Sequence, residues 1–363
     1  MTRKATLKHV ARLAKVSPAT VSRFVSGTAR VSPAAAERVR KAAASLGIQV
    51  QERRKARIVG FLLSNREMLH PFHSRILAGA EAYCQARDHY VLFLPYRYLF
   101  NTPWRQLHVP KIWRRRDIIT GLIVAGANAQ NLLDLLSHYD IPFAVFGNNV
   151  KGEWRHEERD AVWFDDIQGS CEMTGYLQSL GHRDIWFVAN CHLPWFARRY
   201  EGYCRAMVEA GLRPHLSEVD TDKGAELGYL GAKSLLGRGE SVSAIFAGDD
   251  LVAAGVYKAL NDCKLRIPED MSVVGFSDVG GEMSNPPLTT GRVFPEQVGK
   301  HLAQLLLNRV GKPDVPVQHY TMPTELIVRA SCRQFPTMLV SQEARLHAQE
   351  TGVRDAPNKN TPA

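Results

Sequence analysis

Three pairs of side chains have the types and spacing that could do chemistry: His70 with His73, and the adjacent acids at 165–166 and 249–250. Two histidines three residues apart could share a metal ion, and paired carboxylates could act as general acid and base. Neither use is favoured. The sequence supplies no third ligand at suitable spacing and no G-x-S-x-G, Walker loop or G-x-G-x-x-G after a strand. We therefore expect capping, structural or cleft-lining roles for these residues, with no enzymatic activity, no metal and no cofactor.

The positive charge of the chain is concentrated at its N-terminus. The net charge is +10, and residues 1–57 hold 14 of the 46 Lys and Arg side chains but only two acids, Glu37 and Glu52. The remaining 306 residues are slightly acidic. This asymmetry favours a small module with a polyanionic partner. The alternative is a basic, solvent-exposed face that has no partner.

Capping residues and apolar spacing predict three short helices in this basic segment. Thr6 precedes the first helix, and Ser-Pro pairs beginning at Ser17 and Ser32 open the second and third. Ser and Thr are favoured at the N-cap, and Pro is favoured at the first helical position. A tight turn separates the first two helices, which predicts a helix-turn-helix unit.

The second helix has the residues expected of a helix that contacts DNA bases. Its first turn would reach base edges in the major groove. Pro18, Ala19 and Arg23 are the candidates for base contacts, because they are expected to be exposed and Arg can donate to guanine O6 and N7. Thr20 and Ser22 suit phosphate oxygens. A helical hairpin that binds protein is the alternative.

The segment ATLKHVARLAKVSPATVSRFVSGTARVSPAAAERVRKAAASLGI resembles the headpiece of the lactose-repressor/galactose-repressor family of bacterial transcription regulators. It matches the pattern T-[IL]-x-x-V-A-x-x-A-x-V-S-x-x-T-V-S-R almost continuously. The resemblance implies base contacts from positions 18, 19 and 23. It also implies contacts to the DNA backbone from Thr6, Ser22 and Ser32, with Ser17 at the start of the helix that contacts the bases.

The linker after the headpiece departs from the family pattern. The family has N-P-x-x-x-A-x-x-L there, whereas residues 48–57 read IQVQERRKAR. A hinge helix with a Leu wedged into the minor groove is therefore not expected. Arg53 and Arg54 instead offer sequence-independent phosphate contacts. A charged, flexible linker that does not contact DNA is the alternative.

Apolar strands alternate with helical stretches from Ile58 onward, which is typical of a parallel α/β architecture. The region is large for one sheet, so two lobes are expected. The resemblance continues through HPFHSRILAGAE, GHRDIWFVAN and RRYEGYCRAMVEAG, and covers about residues 5–332. The fold it implies is an N-terminal all-α helix-turn-helix headpiece followed by an α/β two-lobed, periplasmic-binding-protein-like core with a ligand in the cleft.

The predicted boundaries follow from these segments. The headpiece spans 1–47, the linker 48–57, the core 58–333 and a disordered tail 334–363. Within the core, the N-lobe comprises about 58–160 and 290–320, and the C-lobe about 161–289 and 321–333. The segment 95–117 between two strands is rich in aromatic and basic residues, and Pro103 and Pro110 interrupt the helix expected there. It is interpreted as a modified subunit interface or a surface loop.

The resemblance also assigns residues to an effector cleft: Ser64, Phe72, His73, Asp165, Arg199, Lys223, Asp249 and Ser277. Arg199 matches the family's effector-anchoring Arg. Ser277 stands where the family often has a sugar-binding Asp, with Asp278 following it, and Lys223 stands where an aromatic ring often stacks. Arg199 with Lys223 could hold a carboxylate or phosphate. A sugar, a sugar acid, a phosphorylated sugar and an empty cleft all remain open.

Taken together, the sequence predicts a cytoplasmic transcriptional repressor. We expect a homodimer on a pseudo-palindromic site in double-stranded DNA, with affinity modulated by a small, sugar-like effector and with no membrane partner. The six scattered cysteines fit a reducing cytosol, and no apolar run approaches the ~18 residues of a membrane span. The main alternative is an effector-independent DNA-binding regulator in which the lobes only dimerise. A solute-binding protein without a DNA role would lack the headpiece.

Overall fold

The computed structural model describes residues 6–26, 31–48, 57–67, 70–115, 117–310, 312 and 314–335. The headpiece contains the helices α1 (Leu7–Leu13), α2 (Pro18–Ser26) and α3 (Pro33–Ser45). One apolar residue from each helix is fully buried in its small core, namely Val10, Val21 and Val39. The turn between α1 and α2 places Lys15 in the left-handed region at φ 53°. The three helices and the tight turn confirm the predicted helix-turn-helix fold.

The rest of the described chain forms two α/β lobes. Its strands are β1 (Arg57–Ser64), β2 (His89–Tyr96), β3 (Ile119–Gly126), β4 (Asn128–Ala129), β5 (Phe143–Phe146), β6 (Val150–Lys151), β7 (Asp160–Phe164), β8 (Ile185–Ala189), β9 (His215–Glu218), β10 (Ala244–Ala247), β11 (Ser272–Ser277), β12 (Thr289–Arg292), β13 (His319–Met322) and β14 (Glu325–Ile327). Its helices are α4 (Pro71–Gln85), α5 (Gln130–His138), α6 (Asp166–Ser179), α7 (Pro194–Glu209), α8 (Gly224–Gly237), α9 (Asp250–Asp262) and α10 (Pro295–Arg309).

Each lobe is built on one six-stranded sheet. The N-lobe sheet has the order β13-β7-β5-β3-β1-β2 with every neighbouring pair parallel. The C-lobe sheet has the order β14-β12-β11-β10-β8-β9 and is parallel except for the β12–β14 pair. Continuous apolar runs such as AVF in β5 and AIFA in β10 are wholly buried, as expected for parallel strands covered by helices on both faces.

The chain crosses between the lobes three times, each time a few residues later than predicted. It leaves the N-lobe sheet after Phe164, returns between Arg292 and Pro295, and crosses again between Met322 and Glu325. Residues 161–164 therefore pair within the N-lobe sheet and 290–292 within the C-lobe sheet, contrary to the predicted boundaries. These residues stay in their sheets because their backbone N–H and C=O groups pair with the neighbouring strand.

The segment after β2 contains two 3₁₀ turns, Trp104–Gln106 and Lys111–Arg114, each preceded by a proline. No α-helix forms between β2 and β3 in the described residues, because proline lacks the N–H that an interior helical position needs. Trp113 is nonetheless completely buried against the N-lobe sheet. The segment is therefore a packed part of the lobe.

The start of the predicted tail is ordered. The backbone N–H of Phe335 donates to the Leu180 carbonyl at 2.7 Å, and the Phe335 ring lies 5.3 Å from the His182 ring. The prediction of disorder is therefore wrong for residues 334–335. Residues 336–363 and most of the linker, 49–56, lie outside the described part of the chain.

Helices α4 and α10 pack backbone against backbone, which joins the returning chain to the N-lobe. A Cβ atom added at Gly299 would lie 1.9 Å from the Ile76 carbonyl oxygen, and one added at Gly79 would lie 1.9 Å from the Glu296 carbonyl oxygen. Only glycine permits this approach on both helices. Gly175 on α6 is different, because a Cβ there meets nothing within 4 Å.

We expect Gly299→Ala to lower the free energy of unfolding by about 1–3 kcal/mol, because a methyl group would force the two helices apart. Gly175→Ala is the matched control and should raise it by about 0.5–1 kcal/mol through helix propensity. Urea denaturation of both variants measures the two effects. Equal changes in the free energy of unfolding for the two variants would contradict the close packing of α4 against α10.

Candidate functional site

The helix-turn-helix unit presents α2 on the protein surface. The Ser17 hydroxyl accepts a hydrogen bond from the Thr20 backbone N–H at 3.0 Å, so Ser17 caps the helix. The Thr20 hydroxyl lies 2.8 Å from the same oxygen. Phe24 faces the headpiece core and is almost completely buried. The opposite face of α2 therefore points to solvent and is free to enter a groove.

The other residues predicted to contact DNA fall into three groups. Pro18, Ala19, Ser22 and Arg23 are exposed on α2. Thr6 and Ser32 instead stand at the starts of α1 and α3: the Thr6 backbone N–H donates to His9 Nδ1 at 3.1 Å, and the Ser32 hydroxyl accepts from the Ala35 N–H at 3.3 Å. Arg53 and Arg54 lie outside the described residues. DNA contacts by these residues stay predictions.

A pocket lies between the two lobes at the ends of their strands. It is lined by Arg66, His70, Phe72, His73, Asn149, Phe164, Trp195, Arg199, Asp249, Asp250, Leu251, Ser277 and Val279. Open α/β sheets bind ligands at such strand ends. We call this the inner pocket. A second, outer chamber lies beside it and is lined by Asn65, Arg66, Glu67, His70, Arg97, Phe196, Asp222, Lys223, Gly224, Asp249 and Leu251.

A buried ion pair forms one wall of the inner pocket. Arg199 Nε donates to Asp166 Oδ1 at 3.0 Å, and Arg199 Nη1 donates to the Gly248 carbonyl at 2.8 Å. Asn148, which follows the N-lobe strand β5, donates from Nδ2 to Asp166 Oδ2 at 2.7 Å. The guanidinium also lies 4.3 Å from the centre of the Phe276 ring. Arg199 is thus held rigidly, with its ion-pair partner satisfied from both lobes.

Aromatic and imidazole rings form the N-lobe side of the pocket. The Phe72 ring lies 5.8 Å from that of Phe146 and 5.9 Å from that of Phe164. The rings of His70 and His73 are 5.4 Å apart. Burial lowers the pKa of His73 well below its ordinary value, with smaller contributions from nearby positive groups, so this imidazole is neutral at pH 7.

Arg66 and Trp195 meet across the cleft. Arg66 follows β1 in the N-lobe, Trp195 lies in the first turn of α7 in the C-lobe, and the guanidinium carbon is 4.0 Å from the ring centre. Burial lowers the pKa of Arg66, while Asp249, Asp222 and Glu67 oppose that effect. The side chain remains charged and forms a cation–π contact between the lobes.

Three of the predicted effector residues are placed outside the inner pocket. Ser64 is buried beneath the strand ends, where its hydroxyl donates to the Ala125 carbonyl at 3.2 Å. Asp165 caps α6 by accepting from the Gln168 N–H at 3.0 Å, and the buried acid that pairs with Arg199 is its neighbour Asp166. Neither side chain is among those that line the inner pocket. The assignment of Ser64 and Asp165 to the pocket lining is therefore not supported by their geometry.

Lys223 is the third of these residues. It lines the outer chamber and lies 3.6 Å from the Glu226 carboxylate. Phe72, His73, Arg199, Asp249 and Ser277 do come together in the inner pocket.

Several lining residues were missed by sequence reasoning. Arg66 and Asn149 follow strands β1 and β5, and their position just after a strand is the signal that could have found them. Trp195 lies just before the segment RRYEGYCRAMVEAG, so the resemblance did not include it. Ser277 has a φ of 114°, a strained value for a non-glycine residue, and such strain is frequent at binding sites. Asp278 turns away from the pocket, with its carboxylate 2.7 Å from Arg292 Nε.

Asp250 is a buried acid at the base of the pocket. Its Oδ1 accepts from the Thr290 hydroxyl at 2.6 Å, and its Oδ2 accepts from the Val279 N–H at 2.8 Å. Burial raises its pKa to about 6, and these two hydrogen bonds only partly offset the effect. In the described residues no group of three His, Cys, Asp or Glu could hold a metal ion, and no helix there is long and apolar enough to cross a membrane.

The raised pKa of Asp250 predicts how stability depends on pH. The folded state holds a proton that the unfolded state releases near pH 4, so the free energy of unfolding falls as pH rises towards 6 and then levels. The loss is roughly 3 kcal/mol. Asp250→Asn should lack this fall. Urea denaturation of both proteins from pH 4 to 7 measures the difference, and parallel curves would contradict the assignment.

Comparison with known proteins identifies the parts of the chain. Residues 6–49 match the family described as bacterial regulatory proteins, lacI family, and residues 174–332 match a periplasmic binding protein-like domain. The HTH-type transcriptional repressor PurR of Haemophilus influenzae (strain PittEE) is 31% identical over 345 residues, covering 91% of this chain and 99% of that protein.

Solved structures agree with the sequence comparison. The transcriptional regulator CelR–cellobiose complex is 26% identical, with a TM-score of 0.67 over 90% of this chain and 99% of that one. The lac repressor dimer bound to operator and the anti-inducer ONPF is 22% identical and shares the fold, with a TM-score of 0.68 over 91% of this chain and 100% of that one. The chain thus belongs to the lacI family of bacterial regulatory proteins.

Proposed function

We propose that this protein is a transcriptional repressor that binds a specific DNA site and releases or tightens its hold when a small molecule enters the cleft between its lobes. The observation that carries this proposal is the combination, in one chain, of an exposed, capped α2 and an interlobe pocket with buried polar groups. Both features are expected of a ligand-responsive regulator, and either one alone would not favour it.

The DNA-binding half of the proposal rests on α2. Its N-terminal turn carries an exposed Pro18 and Ala19, and Arg23 is exposed one turn later. In the major groove, this arrangement lets Arg23 donate to a guanine and lets the small residues approach the base edges. The N-terminus of the helix and the hydroxyls near it suit phosphate oxygens. The positive charge of the headpiece supplies sequence-independent attraction.

We infer a homodimer on a pseudo-palindromic operator. A single headpiece covers one half-site, and two-fold symmetry in the protein is matched by two-fold symmetry in the DNA. The lac repressor, which has the same fold, is a dimer in its operator complex. Binding to chromosomal DNA places the protein in the cytoplasm. Its action is ligand binding rather than catalysis.

The effector half of the proposal rests on the cleft. Its lining comes from both lobes, so a ligand that contacts Phe72 and Arg199 together favours one arrangement of the lobes over another. Such differential affinity is what allows a ligand to change DNA binding. A sugar or sugar derivative is the effector class we propose, supported by the cellobiose complex of the related regulator CelR.

Fluorescence anisotropy tests this function directly. The protein is titrated with DNA that it selects from a randomised pool and with a scrambled version of that DNA, with and without a panel of sugars, sugar acids and sugar phosphates. We expect Arg23→Ala to lose about 1–3 kcal/mol of affinity for the selected DNA and little for the scrambled DNA. Arg38→Ala, an exposed α3 arginine outside the proposed surface, should weaken both equally.

The outcomes separate the two halves of the proposal. Equal losses on both DNAs for Arg23→Ala would contradict sequence recognition by α2. A compound that changes the affinity for the selected DNA at least about fivefold identifies the effector class. Specific binding that no compound changes would favour the alternative, an effector-independent regulator whose lobes only dimerise.

A further inference from the structure

The inner pocket contains hydrogen-bond donors that lack acceptors. Arg66 Nε is buried and has no hydrogen-bond partner among the described residues, and the same holds for Nδ1 of His73. Asn149 Nδ2 lies 3.3 Å from His73 Nε2. Because the amide nitrogen donates, Nε2 is the acceptor and Nδ1 carries the proton. A buried donor without a partner is unfavourable, so Arg66 Nε and His73 Nδ1 in one pocket point to a ligand that supplies acceptors.

The acceptors of the pocket are largely in use. Both oxygens of Asp250 accept protein hydrogen bonds, and both oxygens of Asp166 are taken by Arg199 and Asn148. Asp249 differs, because the bond from the Val252 N–H occupies only its Oδ1. A neutral sugar needs acceptors for most of its hydroxyl hydrogens, and this lining offers few of them.

The outer chamber extends the donor-rich surface. Arg97 and Lys223 line it, together with Gly224 at the N-terminus of the 14-residue helix α8. The N-terminus of a helix attracts negative charge. Two carboxylates, Glu67 and Asp222, also line this chamber, so its charge is mixed. Its cationic groups lie beside the unpartnered donors.

Arg66 stands between the two spaces. It lines both of them, and the inner pocket has free volume of about 40 Å³ against about 210 Å³ for the outer chamber. Side chains thus fill most of the inner pocket while Arg66 is stacked on Trp195. The guanidinium is therefore placed to present its N–H groups to a ligand in either space.

We propose that the effector is a small polyhydroxylated molecule that carries a carboxylate or phosphate, with Arg66 as the residue that binds the oxyanion. This rests on the proposed effector function of the same cleft. His73 Nδ1 donates to the same ligand, and the free oxygen of Asp249 accepts from a hydroxyl group. The rings of Trp195 and Phe72 pack against the carbon skeleton. The guanidinium fork suits both oxyanions because each presents two acceptor oxygens.

Titration with inorganic phosphate at constant ionic strength tests the oxyanion site without knowledge of the whole effector. The readout is the amount of labelled phosphate bound in equilibrium dialysis, which does not depend on the Arg66–Trp195 contact. We expect saturable binding. Arg66→Gln should weaken it at least about tenfold, the loss of one charge-assisted bond. Arg66→Lys keeps the positive charge but lacks the two-pronged guanidinium, so its affinity for phosphate should lie between those of the unaltered protein and Arg66→Gln.

Arg87→Gln is the matched control. Arg87 also stacks on an aromatic ring, with its guanidinium carbon 3.6 Å from the Tyr83 centre, and it lines neither the inner pocket nor the outer chamber. The Arg87→Gln variant should bind phosphate as tightly as the unaltered protein does. Absence of saturable binding, or equal weakening by Arg66→Gln and Arg87→Gln, would overturn the proposal, since binding elsewhere on a basic protein would then explain any effect.

Glucose, gluconate and glucose 6-phosphate, compared by the same equilibrium dialysis, separate the two oxyanions. Tighter binding of gluconate assigns a carboxylate and tighter binding of glucose 6-phosphate assigns a phosphate. Glucose binding as tightly as both would overturn the oxyanion proposal and leave the proposed effector function intact. Failure of the function itself would instead appear as loss of specific DNA binding, which this titration does not measure.

Discussion

The buried pair of Asp166 and Arg199 is the interaction on which the cleft depends. Asp166 opens α6 directly after the chain leaves the N-lobe sheet, and its carboxylate receives hydrogen bonds from Asn148 of one lobe and Arg199 of the other. Removing one member of such a pair leaves a buried charge without compensation, which typically costs about 3–5 kcal/mol. The pair therefore holds the two lobes together at their junction. It also orients the Arg199 side chain along the wall of the inner pocket.

The rest of the architecture supports that junction. Glycines let α4 and α10 approach closely, so the chain that returns from the C-lobe is held firmly against the N-lobe. The cation–π contact between Arg66 and Trp195 also links the two lobes, at the wall shared by the inner pocket and the outer chamber. The Arg66 guanidinium also lines the outer chamber and can exchange its contact with the ring for a ligand, whereas the Asp166 network is fully buried.

Much of this could be predicted from sequence because local chemistry specifies it. Ser17 followed by Pro is a start signal for a helix wherever it occurs, and apolar runs such as IVGFLL read as buried strands without tertiary information. The pocket lining could not be predicted in the same way. Asp165 and Asp166 are adjacent acids, and only the start of α6 determines that the first caps the helix while the second faces Arg199. Arg66 and Trp195 are distant in sequence, so their contact follows only from the packing of the two lobes.

The central claim is that lobe arrangement and DNA binding are linked, and the distance between the lobes tests it most directly. Spin labels at the exposed positions Glu81 on α4 and Ala225 on α8, in protein diluted with unlabelled chains, report that distance by pulsed electron paramagnetic resonance. Because coupling is reciprocal, bound selected DNA should shift the distance distribution and scrambled DNA should not. An unchanged distribution at saturating selected DNA would contradict the claim.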